Sequence, residues 1–146
     1  MTQTPPRVLI VEDDFDLRTL ERVALEIEGF EVHETDRGEY GVRMVEALRP
    51  DLVLMDVMMP GSTDGFEACA AIKANPETQQ VKVVMVTART QFADSQRATA
   101  VGADAFVAKP FSPHMLVEMV KLLLVDRKST RLNSSHSSVS RMPSSA

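Results

Sequence analysis

Four short stretches of this chain carry residue types that could do phosphorus and metal chemistry together: Glu12-Asp13-Asp14, Asp56, Thr87-Ala88 and Lys109-Pro110. Each follows a short apolar run that reads as a strand, and in open α/β sheets ligands sit just beyond the carboxyl ends of the strands. Carboxylates converging on one crevice repel each other, and all stay ionised only if a cation lies among them. Oxygen-only donors favour Mg²⁺, which keeps several waters and readily shares a phosphate oxygen. A lysine adds a compact positive charge for an anion. A threonine hydroxyl, with the backbone N–H that follows it, can donate to a tetrahedral oxyanion. An aspartate held beside such groups can act as a nucleophile toward phosphorus, since carboxylates form aspartyl phosphates. Taken singly, each residue has a plainer reading: Asp56 starts a turn, Asp13 or Asp14 caps a helix, and Lys109 is a solvated surface lysine.

The elements that must position these groups can be read from periodicity. Residues 7–11 (Arg-Val-Leu-Ile-Val) and 52–55 (Leu-Val-Leu-Met) are apolar runs too short for helices, as expected of strands buried on both faces of a parallel sheet. Residues 30–35, 81–86 and 105–108 supply three more strands. Between them lie helical patterns. In the first, over about 14–28, Leu20, Val23, Ala24 and Ile27 form the stripe expected to pack on the sheet, with Gly29 as its stop. Tyr40, Met44, Val45 and Leu48 mark the second helix, and residues 66–74 the third. Residues 92–101 form a weakly amphipathic fourth. Ser112 as N-cap and Pro113 at the first helical position open the fifth, with Met115, Leu116, Met119, Val120 and Leu123 on one face. Alternating strands and helices give an α/β fold, a doubly wound five-stranded parallel sheet with right-handed crossovers.

Composition narrows the function. At 146 residues, with 44% hydrophobic and 25% charged side chains, the chain is one globular domain and neither collagen-like nor disulfide-dense. Its single cysteine, Cys69, and a polar start without a signal-peptide pattern point to the cytoplasm, and no apolar run is long enough to span a membrane. The nine methionines fall mostly in periodic segments and read as core filling. The four basic residues from Arg127 onward face no acid there, so residues 1–126 hold 12 basic and 21 acidic side chains, a net −9. Such a domain is a poor binder of phosphate backbones. Residues 127–146 are rich in serine and read as a disordered tail, non-native in wording, leaving 1–126 as the folded domain.

With these stretches in view, the chain resembles the receiver domain of a two-component response regulator. Val11-Glu12-Asp13-Asp14, Leu54-Met55-Asp56-Val57-Met58-Met59-Pro60, Asp64-Gly65, Val86-Thr87-Ala88, Gly102-Ala103-Asp104 and Lys109-Pro110-Phe111 carry the likeness, over residues 7–126. The resemblance implies a flavodoxin-like fold with strand order 2-1-3-4-5 and makes Asp56 the phosphoacceptor. It implies that Asp13, Asp14, Asp56 and the main-chain carbonyl of Met58 hold Mg²⁺. Ala88 and Lys109 would bind the phosphoryl group, Thr87 and Phe106 would switch together, and the Lys109-Pro110 peptide would be cis. Met58 and Arg89 occupy positions that flank the phosphoryl group and are expected to lengthen its lifetime.

The phosphodonor is then a sensor histidine kinase or histidine phosphotransfer protein, because His33 and His114 lie away from the strand ends. An effector would bind the face formed by the fourth helix, fifth strand and fifth helix, and a phosphorylation-dependent dimer is compatible with that face. Departures exist: the loop 60–65 is one residue longer than the frequent form, and Thr63 stands where an apolar residue is usual. Rival readings are a Mg²⁺-dependent phosphohydrolase, which would want an acid where Met58 stands, a flavodoxin-like cofactor binder, which would want a glycine-rich phosphate loop after the first strand, and a degenerate receiver used only as a scaffold.

Overall fold

The computed structural model describes the backbone of residues 4–57, 63–87 and 92–137, with side chains except those of 92–95 and 126–137. Its elements alternate strictly: β1 (Arg7–Val11), α1 (Phe15–Ile27), β2 (Glu31–Thr35), α2 (Gly38–Leu48), β3 (Leu52–Asp56), α3 (Gly65–Ala74), β4 (Lys82–Thr87), α4 (Phe92–Ala100), β5 (Ala105–Ala108) and α5 (Pro113–Ser137). The five strands form one parallel sheet in the order β2-β1-β3-β4-β5. Period-2 alternation splits the core between the two faces. Val53, Met55, Val83 and Met85 meet Phe66, Cys69 and Ile72 of α3 and Ala98 of α4 on one side. Leu52, Leu54, Val84 and Val107 meet Leu25 of α1 and Leu116, Val120 and Leu123 of α5 on the other. The buried methionines Met55 and Met85 belong to this packing, as expected of core fillers, whereas Met115, expected on the packing face of α5, is exposed.

Local chemistry sets the element ends. Asp64 caps α3, accepting from Glu67 N at 2.8 Å while the Glu67 carboxylate accepts from Asp64 N at 3.0 Å, a closed capping box. Ser112 Oγ accepts from Met115 N at 3.0 Å at the start of α5. Gly29 and Gly102 end α1 and α4 with φ of +94° and +90°, the left-handed region that glycine enters without steric cost. No described helix is long and apolar enough to cross a membrane.

One expectation needs correction. Most of the apolar stripe of α1 does not face the sheet: Leu20, Val23 and Ile27 are exposed, Ile27 by 76%, while Ala24 packs against the core and Glu21 and Leu25 are buried. Arg18 and Arg22 fix this rotation by pairing with Glu34 of β2, each at 2.7 Å. The backbone of α5 runs on through Ser137, past the boundary expected at residue 126. No glycine or proline stands between Pro113 and Pro143 to stop it.

Candidate functional site

The carboxyl edge of the sheet gathers Glu12, Asp56, Thr87 and Lys109 from the ends of β1, β3, β4 and β5. Backbone bonds prolong the strand ends into the loops: Glu12 N donates to Thr35 O at 3.0 Å, Val57 N to Val86 O at 2.8 Å, and Lys109 N to Thr87 O at 2.6 Å. The loops therefore leave the sheet in fixed directions. The Lys109-Pro110 peptide is cis, as the resemblance implied. Lys109 then reaches back across the edge, placing Nζ 3.3 Å from Glu12 Oε1 and 3.4 Å from Asp56 Oδ1.

Glu12, Asp13 and Asp56 each offer a carboxylate oxygen, and these oxygens lie within 4.8 Å of one another. Glu12 and Asp56 are buried and Asp13 is exposed, so the cluster opens to solvent on one side. Three hard anionic donors, two of them held off from water, suit a divalent cation with room for its own waters, and Mg²⁺ fits that donor set. Burial first, then repulsion from Glu12, pushes the Asp56 carboxyl up to about 8, with Lys109 opposing in part. Burial works against the Lys109 ammonium, yet the charges of Asp56 and Glu12 outweigh it and raise its pKa.

Asp14 stands apart from this cluster. Its side chain accepts from Leu17 N at 3.1 Å and caps α1, while Glu12, whose carboxylate accepts from Asp14 N at 3.1 Å, stands in the clustered set where Asp14 was expected. The signal was in the sequence: an aspartate immediately before the first helical residue, the apolar Phe15, is an N-cap, which leaves the two acids ahead of it facing the crevice. Arg18 donates to Glu12 O at 2.7 Å and holds that corner.

Thr87 is fully buried at the end of β4, opposite Ala108. Phe106 is half-buried on β5 opposite Met85 and packs on the side of the sheet that carries α3 and α4. Register and alternation put Thr87 and Phe106 on one sheet face. Met58, Ala88 and Arg89 lie outside the described residues. His33 pairs with Glu31 at 2.7 Å on β2 and His114 is exposed on α5, both away from the cluster.

Gly65 fits the third helix against the acceptor strand. A Cβ built there would lie 2.1 Å from Asp56 O and 2.8 Å from Val57 Cα, so only glycine allows this approach. Gly65 N also donates to Val57 O at 3.2 Å.

Comparison with known proteins follows the same outline. A family model for the response regulator receiver domain matches residues 8–121. The phosphate regulon transcriptional regulatory protein PhoB of Rhizobium meliloti is 42% identical over 120 residues, covering 82% of this chain and 52% of the relative. The transcriptional regulatory protein ResD of Bacillus subtilis is 36% identical over 118 residues, 81% of this chain and 48% of the relative. The chain thus spans about half the length of these curated relatives. Among solved structures, the chemotaxis protein CheY4 of Vibrio cholerae superposes with a TM-score of 0.76 at 28% identity, covering 81% of this chain and 98% of that one. A receiver domain of a histidine kinase from Syntrophus aciditrophicus gives 0.78 at 32% identity, with 84% and 92% covered.

Proposed function

This chain belongs to the response regulator receiver family of two-component signalling, and from that premise we propose that it is a Mg²⁺-dependent switch with Asp56 as its phosphoacceptor. Receivers of this family take their phosphoryl group from histidine kinases and bind Mg²⁺ at an acidic pocket. Here Glu12, Asp13 and Asp56 would hold the ion, with the main-chain carbonyl of Met58 assigned by resemblance. Bound Mg²⁺ would screen the incoming anion and take up part of the charge that builds during transfer.

The chain's own groups do the rest. An Asp56 oxygen bonds to phosphorus as the P–N bond of the donor's phosphohistidine breaks, its electron pair leaving on the imidazole. Lys109, 3.4 Å from Asp56, supplies positive charge to a phosphoryl oxygen. The Thr87 hydroxyl and the Ala88 N–H supply donors, and Thr87 and Phe106 carry the change to the face of α4, β5 and α5, where an effector binds. The acyl phosphate is lost by slow self-catalysed hydrolysis, with Met58 and Arg89 hindering the attacking water. The donor is a sensor kinase or a histidine phosphotransfer protein, the compartment the cytoplasm. With a net −9 over residues 1–126, the receiver itself makes no direct contact with nucleic acid.

The observation that carries this reading is the Lys109 ammonium lying 3.3 Å and 3.4 Å from two buried carboxylates whose oxygens cluster with that of Asp13. Incubation with Mg²⁺ and acetyl phosphate, followed by intact mass, should show one added phosphoryl group on wild type and none on Asp56→Asn. Equal labelling of both, or none on either, overturns it.

A further inference from the structure

Arg18 is not among the groups that would touch the metal or the phosphoryl group, yet it is bonded directly to the loop that carries two of them. It stands in the first turn of α1, its side chain 15% exposed. Nη1 donates to Glu12 O at 2.7 Å, while Nε donates to Glu34 Oε1 on β2, also at 2.7 Å. The guanidinium carbon stands over the Phe15 ring, 5.5 Å from its centre. Hydrogen bonds from a cation, partly shielded from water in this way, are stronger than neutral ones.

What these bonds hold is one peptide plane. Glu12 and Asp13, two of the three carboxylates whose oxygens lie within 4.8 Å of one another, flank the peptide whose carbonyl Arg18 binds. On the other side of the same residue, Glu12 N donates to Thr35 O at 3.0 Å. A peptide plane is rigid, so fixing its carbonyl fixes the directions in which both side chains leave it. Arg18 meets its two partners with different nitrogens of one flat fork, which a lysine ammonium cannot reproduce. The charge itself works the other way, because a cation bonded to this loop repels a divalent ion. Arginine can therefore favour the ion here only through geometry. We propose that Arg18 is a positioning residue for the cation site: it sets the Glu12-Asp13 peptide so that both acids meet the geometry Mg²⁺ demands, and so makes the site prefer Mg²⁺ to Ca²⁺. Mg²⁺ requires a near-octahedral shell at short distances, whereas the larger Ca²⁺ accepts looser ones, so a loosened plane costs Mg²⁺ more.

Arg22 supplies the comparison, since it pairs with the same Glu34 at 2.7 Å and with Glu26 at 3.2 Å, both away from the loop of the acids. Dissociation constants for Mg²⁺ and Ca²⁺ are measured by calorimetry on wild type, Arg18→Ala, Arg18→Lys and Arg22→Ala, at a temperature where thermal melts show each to be folded. Arg18→Ala should bind Mg²⁺ about tenfold more weakly and Ca²⁺ less than about threefold more weakly. Arg18→Lys, which keeps the charge and loses the fork, should do the same and keeps the test open if the alanine variant does not fold. Arg22→Ala, which gives up an equal ion pair with Glu34, should stay within about twofold of wild type for both ions. Tighter or unchanged Mg²⁺ binding by Arg18→Ala would mean that the site feels only its charge. Equal losses for the two ions, or the same loss in Arg22→Ala, would mean a general part in holding α1; each of these results overturns the proposal. Because it rests on the Mg²⁺ reading above, a wild type that binds neither ion would instead remove that reading.

Discussion

Asp56 and Glu21 are acids buried beside other acids, and in the metal-free protein each is held protonated well above the ordinary carboxylate range, up to about 8. The sign of the consequence follows from linkage: raised folded-state values mean that the folded state keeps protons the unfolded chain has lost. The stability they contribute is fully present below their unfolded values, near pH 4, and is lost as pH rises through about 8. The melting temperature of metal-free protein should therefore fall between about pH 6 and pH 9, equivalent to roughly 2 kcal/mol, and Mg²⁺ should recover most of it at the higher pH. Asp56→Asn should flatten part of that slope and stabilise the metal-free form at pH 9 by about 1 to 3 kcal/mol, since it removes a buried charge. A melting temperature that rises with pH would contradict both expectations. The lifetime assignments belong to this scale too. Met58→Asn and Arg89→Ala should each speed loss of the phosphoryl group several-fold, followed by decay after the donor is removed, and unchanged decay dismisses their shielding role. Asp13, Asp56, Thr87 and Lys109 were legible because their types and spacing match a known chemistry. Glu12 was not singled out because three acids in a row leave the register open until the helix cap is assigned to Asp14.

At the scale of elements, strand runs and helix caps read cleanly from sequence, whereas the rotation of a helix about its own axis did not. Leu20, Val23 and Ile27 make a regular apolar stripe, but two arginines pairing with Glu34 turn it outward and bring Glu21 and Leu25 inward. Long-range ion pairs leave no periodic signal. The fit of α3 against β3 was equally hidden, because a glycine after Asp64 reads as a loop residue until its distance to Asp56 is known. Gly65→Ala should cost about 3 kcal/mol and slow phosphorylation by acetyl phosphate tenfold or more, because the added methyl must displace the acceptor's own backbone. Gly29→Ala is the control. Nothing lies within 4 Å of the methyl there, so only the positive φ is penalised, at about 1 kcal/mol, and phosphorylation should keep its wild-type rate. If Gly65→Ala phosphorylates normally, the tight seat of α3 plays no part in shaping the pocket. Arg97 adds a tie across the same corner, stacking on Phe66 at 4.3 Å and lying 3.7 Å from Asp64, so α4 is linked to the cap of α3.

For the whole molecule, the last described core residues lie on α5 well before its end at Ser137. Leu123 and Leu124 are buried, Val125 is exposed, and on the carboxyl side of Leu124 no described side chain enters either core. Each buried leucine contributes about 2 kcal/mol, so a cut before Leu123 should unfold the domain while one after Asp126 removes none of this packing. An isolated helical stretch of about three turns is marginal in water. A chain ending at Asp126 should therefore melt within about 3 °C of the full chain and take up one phosphoryl group with the same Mg²⁺ dependence. Its loss of helical circular dichroism measures how much of residues 127–137 is helical in solution. A drop of more than about 10 °C would show that this stretch packs on the domain, and would move the folded boundary past residue 126.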